Sequence, residues 1–357
     1  YYYFNHNSSF GTEDELRSMI KTFKDNGIGT IADVVINHRN TEGWFTFPAE
    51  TYNGVTYQML PTDICKNDDG GKTATQAQEE GVSLSNNNDE GSDFGDCRDL
   101  DHKSANVQKV IKAYLKFLKE DLGYIGFRYD MVKGFNASHV GDYNTATGIQ
   151  YSVGEYWDGV GYIKNWINNT GKKSGAFDFQ FHYNMTDAIR SNNWTKLNNS
   201  SLMSDPSYRR YAITFVENHD IQVREDNSNE GSKDPIPTAY IPAANAFMIA
   251  MPGTPCIFQP HWKAYEHELK SMIEARKLAG ITNTSSYSNY ANKKEYFANA
   301  VNGTNGRKLL IVVGIPSMMT TPSKTEYTSI LSGKKYKNYL SKETDNAWAY
   351  KACVEYE

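Results

Sequence analysis

With 357 residues, the chain has room for one large barrel plus a small module, or for two or three ordinary domains. A net charge of −5, a pI of about 6.0 and the lack of any long basic run argue against nucleic acid as the main partner. No run of about 18 apolar residues is present to span a membrane. Aromatic residues reach 13%, led by 25 tyrosines, enough for some to stack on sugar rings while most fill the core. Four cysteines (Cys65, Cys97, Cys256 and Cys353) are too few for a disulfide scaffold, and no CxxC suggests a thiolate metal site. Cys65 and Cys97 share one loop-rich insertion and are candidates to pair; Cys256, within Pro255-Cys256-Ile257-Phe258, reads as a buried strand thiol. The first residue is Tyr1, with neither methionine nor signal peptide, so the residues themselves leave the compartment open.

In chain order, residues 1–10 are aromatic and irregular. A helix is predicted from Thr12 to Asn26: Thr12 and Glu15 form a capping box, Leu16, Met19, Ile20 and Phe23 make an apolar stripe, and Gly27 stops it. Ile28–Ile36 is an apolar, β-branched run without clean alternation, the pattern of a parallel strand buried on both faces, and it ends at Asn37-His38. From Arg39 to Leu100 periodicity vanishes in a stretch rich in Asn, Asp, Gly and Thr, which reads as a functional insertion or disorder. A helical stripe of Val107, Val110, Ile111, Tyr114, Leu115, Leu118 and Leu122 follows, closed by Gly123. Strands are then predicted at 125–130, 150–154, 175–179, 211–216 and 254–259, alternating with helices around 162–168, Asp187, 241–250 and 264–279, with a polar loop at 225–236. That alternation implies parallel βαβ units. After Gly280 short strands such as 295–301 and 308–314 announce a small antiparallel β module.

Polar groups recur at the strand ends: Asn37-His38, then Arg128 and Asp130, then Glu155, then Asn218-His219-Asp220. Residues i and i+2 of a strand share a face, so Arg128 and Asp130 should project together, and an arginine there favours an ionised Asp130. Alone, that pair reads as a structural salt bridge. In a (β/α) barrel, however, side chains at the carboxyl ends of the strands converge on one face, and so many polar groups there point to function.

Asp33-Val34-Val35-Ile36-Asn37-His38, the segment 126–134, Val153-Gly154-Glu155-Tyr156-Trp157 and Phe215-Val216-Glu217-Asn218-His219-Asp220 resemble the four signature regions of the α-amylase family, in its order and spacing. Gly11-Thr12-Glu13, Asp93-Phe94-Gly95, Asp99-Leu100-Asp101-His102 and Gly253–Phe258 are similar to plant-type and related bacterial members. The resemblance implies a TIM (β/α)8-type barrel over 1–38 and 101–282, a loop-rich calcium-binding insertion at 39–100 after barrel strand 3, and an antiparallel β domain at 283–357. It also implies that the chain begins after the family's first helix and second barrel strand, without two strands, one helix and a sugar-stacking tyrosine, which puts the activity of this stretch by itself in question. A secreted or periplasmic monomer acting on α-glucan is expected.

Position by position, the resemblance makes Asp130 the nucleophile, Glu155 the general acid/base and Asp220 the carboxylate that steadies the transition state. Arg128 orients the nucleophile, and His38, Lys133 and His219 contact the substrate. Calcium is the implied cofactor, with Asn37, Asp99 and the carbonyl of Gly134 matching one site, and Asp68 and Asp93 a neighbouring one. The implied activity is retaining endo-hydrolysis of α-1,4-glucosidic bonds in starch, glycogen or maltodextrin. Alternatives are a transglycosylase or exo-acting relative on the same residues, and a non-catalytic glucan-binding protein, which would usually have lost one of the three carboxylates. The chemistry makes independent sense: retention needs two carboxyl groups about 5–5.5 Å apart, and the proton donor, Glu155, should have a raised pKa from carboxylate neighbours and a drier setting, with Asp130 low beside Arg128. Ile221 stands where the family usually has threonine, and Gly134 where many bacterial and fungal members have histidine; both bear on subsite contacts.

Overall fold

The computed structural model describes residues 2–222 and 235–314, together with the backbone of two further strands, 335–342 and 349–356. The polar loop predicted at 225–236 falls almost wholly outside the described residues. Two compact units emerge, one from residues 1–157 and 165–176, the other from 158–164 and 177–357.

The first unit opens with α1 (Glu13–Asp25), and its capping box forms as predicted: the Thr12 hydroxyl accepts from the Glu15 amide, and the Glu15 carboxylate accepts from the Thr12 amide. Of the predicted stripe only Ile20 is buried, while Met19 and Phe23 remain 45% and 41% exposed. Strand β1 (Ile31–Val34) is shorter than predicted and buries one face, not two. Ala32, Val34 and Ile36 are inside; Ile31 and Val35 are not. Among the described residues β1 pairs with one strand only, β6, which leaves its other edge unpaired.

The insertion is better ordered than its composition predicts. Strand β2 (His38–Arg39) is followed by a hairpin of β3 (Glu50–Tyr52) and β4 (Val55–Tyr57), whose turn residues Asn53 and Gly54 both have positive φ. Asn-Gly between extended segments is the preferred chemistry for that turn. Helix α2 (Lys72–Glu80) and strand β5 (Arg98–Asp99) complete it, β5 pairing antiparallel with β2. Two ion pairs inside this unit, Arg39–Glu50 at 3.1 Å and Arg98–Asp68 at 2.6 Å, are each buried at both ends. Cys65 and Cys97 are both free thiols.

Helix α3 (Ala105–Lys116) buries the predicted stripe and runs into a π-helical turn that ends at Leu122. Gly123, with φ +90°, terminates it in the left-handed region. The chain then alternates through β6 (Gly126–Tyr129), α4 (Ala137–Thr147), β7 (Tyr151–Gly154), α5 (Val160–Asn169) and β8 (Gly175–Phe177). Strands β1, β6, β7 and β8 lie side by side in that order, all parallel. Gly154 is dictated by packing: a Cβ there would sit 2.2 Å from the Trp166 ring.

The second unit carries α6 (Phe179–Ser191), β9 (Ala212–Phe215), α7 (Ile241–Ala250), β10 (Thr254–Cys256), α8 (Gln259–Ala264) and α9 (Glu266–Ala279). Strands β9 and β10 are parallel, with α7 as their crossover. Every residue of α7 is buried, as expected of a helix that is apolar all round. Cys256 corrects its prediction: it does end a strand, but it is exposed. The C-terminal module is one antiparallel sheet in which β11 (Tyr287–Asn292), β12 (Tyr296–Asn302), β13 (Lys308–Gly314), β14 (Lys335–Lys342) and β15 (Ala349–Tyr356) follow the order β11-β12-β13-β15-β14. Its core joins Ala291, Tyr296, Ala298 and Ala300 to Leu310 and Val312. Cys353 lies in β15, whose side chains fall outside the described residues.

Candidate active site

Strand β6 delivers Arg128 and Asp130 together, two residues apart on one face, and β7 delivers Glu155 beside them. Arg128 Nη1 lies 2.6 Å from Asp130 Oδ1 and 2.8 Å from Asp33 Oδ1, while Nη2 lies 3.0 Å from Glu155 Oε1. One guanidinium thus faces three carboxylates. Burial pulls the Arg128 pKa down, but Glu155, Asp33 and Asp130 outweigh that and raise it above its ordinary value. The sequence assigns Arg128 to Asp130 alone; the contacts with Glu155 and Asp33 are additions. Glu155 is 8% exposed, a dry setting for a carboxyl group.

The backbone here is constrained. Met131, immediately after Asp130, has φ +42°, which a residue with a side chain seldom adopts. Its amide donates to Glu155 Oε2 at 3.1 Å. The main chain adds two bonds between the ends of β6 and β7, from the Glu155 amide to the Tyr129 carbonyl at 2.9 Å and from the Val132 amide to the Glu155 carbonyl at 3.1 Å. Lys133 Nζ donates to the Trp157 carbonyl at 3.2 Å and lies 5.9 Å from the centre of the Tyr156 ring.

His38 follows the end of β1. Burial lowers its pKa, against the charge of Asp130, which raises it. Asn37 Nδ2 lies 3.3 Å from His38 Nδ1. The preceding carbonyl, that of Ile36, receives a 2.9 Å hydrogen bond from His102 Nε2, while His102 Nδ1 accepts from the Tyr143 hydroxyl at 2.7 Å. Neutral imidazole with its proton on Nε2 makes both bonds, donating to the Ile36 carbonyl and accepting from the Tyr143 hydroxyl. Burial accordingly pushes the His102 pKa down to about 3. A folded-state pKa below that of the unfolded chain means that the unfolded chain takes up the proton first. Stability is complete above the ordinary imidazole value of about 6.5 and falls by about 2 kcal/mol as pH drops from there to about 5. Denaturant titrations between these pH values, with calcium in excess, should give a slope that flattens in His102→Gln; equal slopes would refute the assignment.

A second cluster lies where the insertion meets β2 and β5. Oxygens of Asp68, Asp93 and Asp99 lie within 4.8 Å of one another. Asn37 Nδ2 donates to Asp99 Oδ1 at 3.1 Å, and Gly134 lies so close to Asn37 that a Cβ would meet Oδ1 at 1.9 Å. A side chain at 134 would displace Asn37, which accounts for glycine at this position. Asp99 takes the Phe94 amide at 2.9 Å on Oδ2. Burial, reinforced by Asp89 and Asp68, raises the Asp99 pKa well above the ordinary carboxylate range. Burial raises Asp68 as well, although Oδ2 pairs with Arg98 and Oδ1 accepts the Asp99 amide at 2.8 Å. Asp93 is exposed and accepts the amides of Asp69 and Gly70.

Asp89 belongs to this cluster, though the sequence reading leaves it in the Asn-rich run. Its pKa is raised by burial and by the charge of Asp93, against hydrogen bonds from the Gly91 and Glu90 amides and with the Asp99 carboxyl. Two buried carboxylates, Asp68 and Asp99, with Asp89 and Asp93 beside them make a donor set of hard oxygens suited to a divalent cation such as calcium. Coordination by Asn37 would use its carbonyl oxygen, so the amide would have to turn over from its present pairing with Asp99.

His219 and Asp220 lie in the second unit, in the turn after β9. Asn218 Oδ1 accepts the amides of Asp220 and Ile221, each at 3.0 Å, and His219 Nε2 lies 3.3 Å from Asp220 Oδ2. Glu217, buried just before them, bonds His261 Nε2 at 2.8 Å and the Ile236 amide at 2.6 Å. Ile221 is fully buried, so its effect is on the packing of this turn and not on a solvent-facing contact.

Residues 2–262 match the family model for the α-amylase catalytic domain. Among curated proteins the chain is 27% identical over 354 residues to "Probable alpha-amylase 2" of Arabidopsis thaliana, covering 92% of this chain and 79% of that protein. It is also 27% identical to "Alpha-amylase 3, chloroplastic" of the same plant, covering 94% of this chain but 37% of that protein. Among solved structures, a cyclomaltodextrin glucanotransferase with a three-domain ABC distribution matches with a TM-score of 0.67 at 15% identity, over 97% of this chain and 77% of that one. The fold is that of a TIM-barrel catalytic domain followed by antiparallel strands. With the family match running over well more than half of its length, the chain belongs to the α-amylase family.

Proposed function

We propose that this chain cleaves α-1,4-glucosidic bonds inside starch, glycogen or maltodextrin with retention of configuration. The observation that carries the proposal is the shared guanidinium: Asp130 and Glu155, from adjacent strand ends, both touch Arg128. That spacing is compatible with the two carboxyl groups about 5–5.5 Å apart that retention requires. Asp130 attacks the anomeric carbon and forms a glycosyl ester as the bond to the leaving oxygen breaks. Glu155 gives that oxygen its proton, then takes one from the water that hydrolyses the ester. Glu155 meets Arg128 through Oε1 and the Met131 amide through Oε2. One oxygen must therefore exchange its partner for the leaving group when substrate arrives.

Arg128 orients Asp130; His38, Lys133 and His219 hold sugar hydroxyls; Asp220 takes the family's third carboxylate role. Asn37, Asp99, the carbonyl of Gly134, Asp68 and Asp93 would hold calcium, with Asp89 beside them. The ion's charge offsets the buried carboxylates and fixes the insertion beside His38. Chelation should therefore lower the melting temperature, as loss of a ligand bound only by the folded state must, and added calcium should restore it. A melt indifferent to both would remove calcium from the proposal. A secreted or periplasmic location fits a substrate polymer too large to cross a membrane. Reducing-sugar release from soluble starch tests the activity directly; transfer of glucosyl units to added maltose in place of water would shift the reading to a transglycosylase.

A further inference from the structure

His38 is held by more than its own strand. Its imidazole lies flat on Phe94, with ring centroids 3.8 Å apart and planes 8° from parallel. Phe94 is itself tied down, since its amide donates to Asp99 Oδ2 at 2.9 Å. Asp99 in turn is the residue directly opposite His38 in the β2–β5 ladder. The contacts close a small circuit from His38 across the ladder to Asp99, on to the Phe94 backbone, and back through the two rings.

The circuit restrains a motion that nothing else restrains well. Rotation about the last side-chain bond of histidine is broad and roughly two-fold, so covalent geometry leaves the ring plane soft. The Asn37–Nδ1 contact, at 3.3 Å, is too long to fix it alone. A flat aromatic partner at stacking distance does fix a plane. We propose that Phe94 is a positioning residue for the reaction: its ring sets the tilt of His38, so that Nε2, the nitrogen not engaged by Asn37, meets the sugar at one angle. The inference rests on the substrate-binding role given to His38 above and extends it to a residue that touches His38 and not the reacting atoms.

Phe94→Ala, Phe94→Leu and Phe94→Tyr, each also combined with His38→Ala, test the idea in kcat, KM and melting temperature on maltodextrin. Phe94→Leu keeps apolar bulk without a plane and covers the case in which the alanine variant fails to fold. The expected result is a loss of about tenfold in kcat for the leucine variant with a smaller change in KM, and near-parent kcat for tyrosine. In the His38→Ala background the same changes should cost almost nothing more, because the residue acted upon is gone. Independent losses that multiply, or a leucine variant with parental kcat, would overturn the proposal. A spectroscopic reading separates it from the activity assignment. The His38 ring protons should carry an upfield shift from the Phe94 face that the leucine variant abolishes and the tyrosine variant keeps. A shift unchanged in the leucine variant refutes the stack, whatever the activity; a His38→Ala variant as active as the parent removes the substrate role of His38, and the positioning role of Phe94 falls with it.

Discussion

Glu155→Gln should reduce sugar release from soluble starch by ~10²–10⁴-fold or more, the range expected when a positioned proton donor is removed. The substitution is nearly isosteric, but it cannot satisfy both neighbours. Oε1 faces Arg128 at 3.0 Å and Oε2 faces the Met131 amide at 3.1 Å, so both surroundings donate. A glutamine must turn its NH2 toward one of them. Some loss of stability therefore accompanies the loss of rate, and both belong in the same experiment. If the variant is still folded at the assay temperature, a hundredfold deficit has to be chemical. A variant with more than a tenth of parental activity would remove Glu155 from the proton-donor role.

Arg128→Met is the second large effect. It removes one cation from Asp33, Asp130 and Glu155 together while keeping much of the apolar stem. Breaking a buried pair from one side costs ~3–5 kcal/mol. Asp33, whose side chain is 63% exposed, keeps its water, so the low end, about 3 kcal/mol, applies here. Activity should fall by about 10²-fold, since the nucleophile and the proton donor lose their common support. Arg128→Lys restores the charge without the planar fork, and should recover more stability than activity. Thermal melts and kcat on the same preparations check both; Arg128→Met melting with the parent would mean that the guanidinium is idle.

Much of this was legible in the sequence because it depends on local chemistry. The capping box at Thr12 and Glu15, the stripe of α3 and the joint projection of Arg128 and Asp130 follow from spacing alone. Helix α7 and strand β13 occupy the residues predicted for them. What the spacing hides is whatever long-range partners decide. Asp89 sits in a polar run with no periodicity, and its membership of the acidic cluster comes from folding that run back onto Asp99. Phe94 looks like a loop aromatic until the ladder of β2 and β5 brings its neighbours together. The hairpin at Asn53-Gly54 did have a signal, the Asn-Gly pair, masked by the polar composition around it. The double burial predicted for β1 failed because an apolar run cannot reveal what will pack over each face of the strand.

The main-chain bonds that tie the end of β6 to the end of β7 also bear on which partner would yield in the proposed reaction. With Tyr129, Val132 and Glu155 locked amide to carbonyl in both directions, the two reactive carboxyl groups ride on a single stiff plate. A backbone braced in this way would hold the Asp130 and Glu155 main chain in place while the sugar ring flattens toward the oxocarbenium-like transition state, leaving side-chain rotation as the protein's share of the movement.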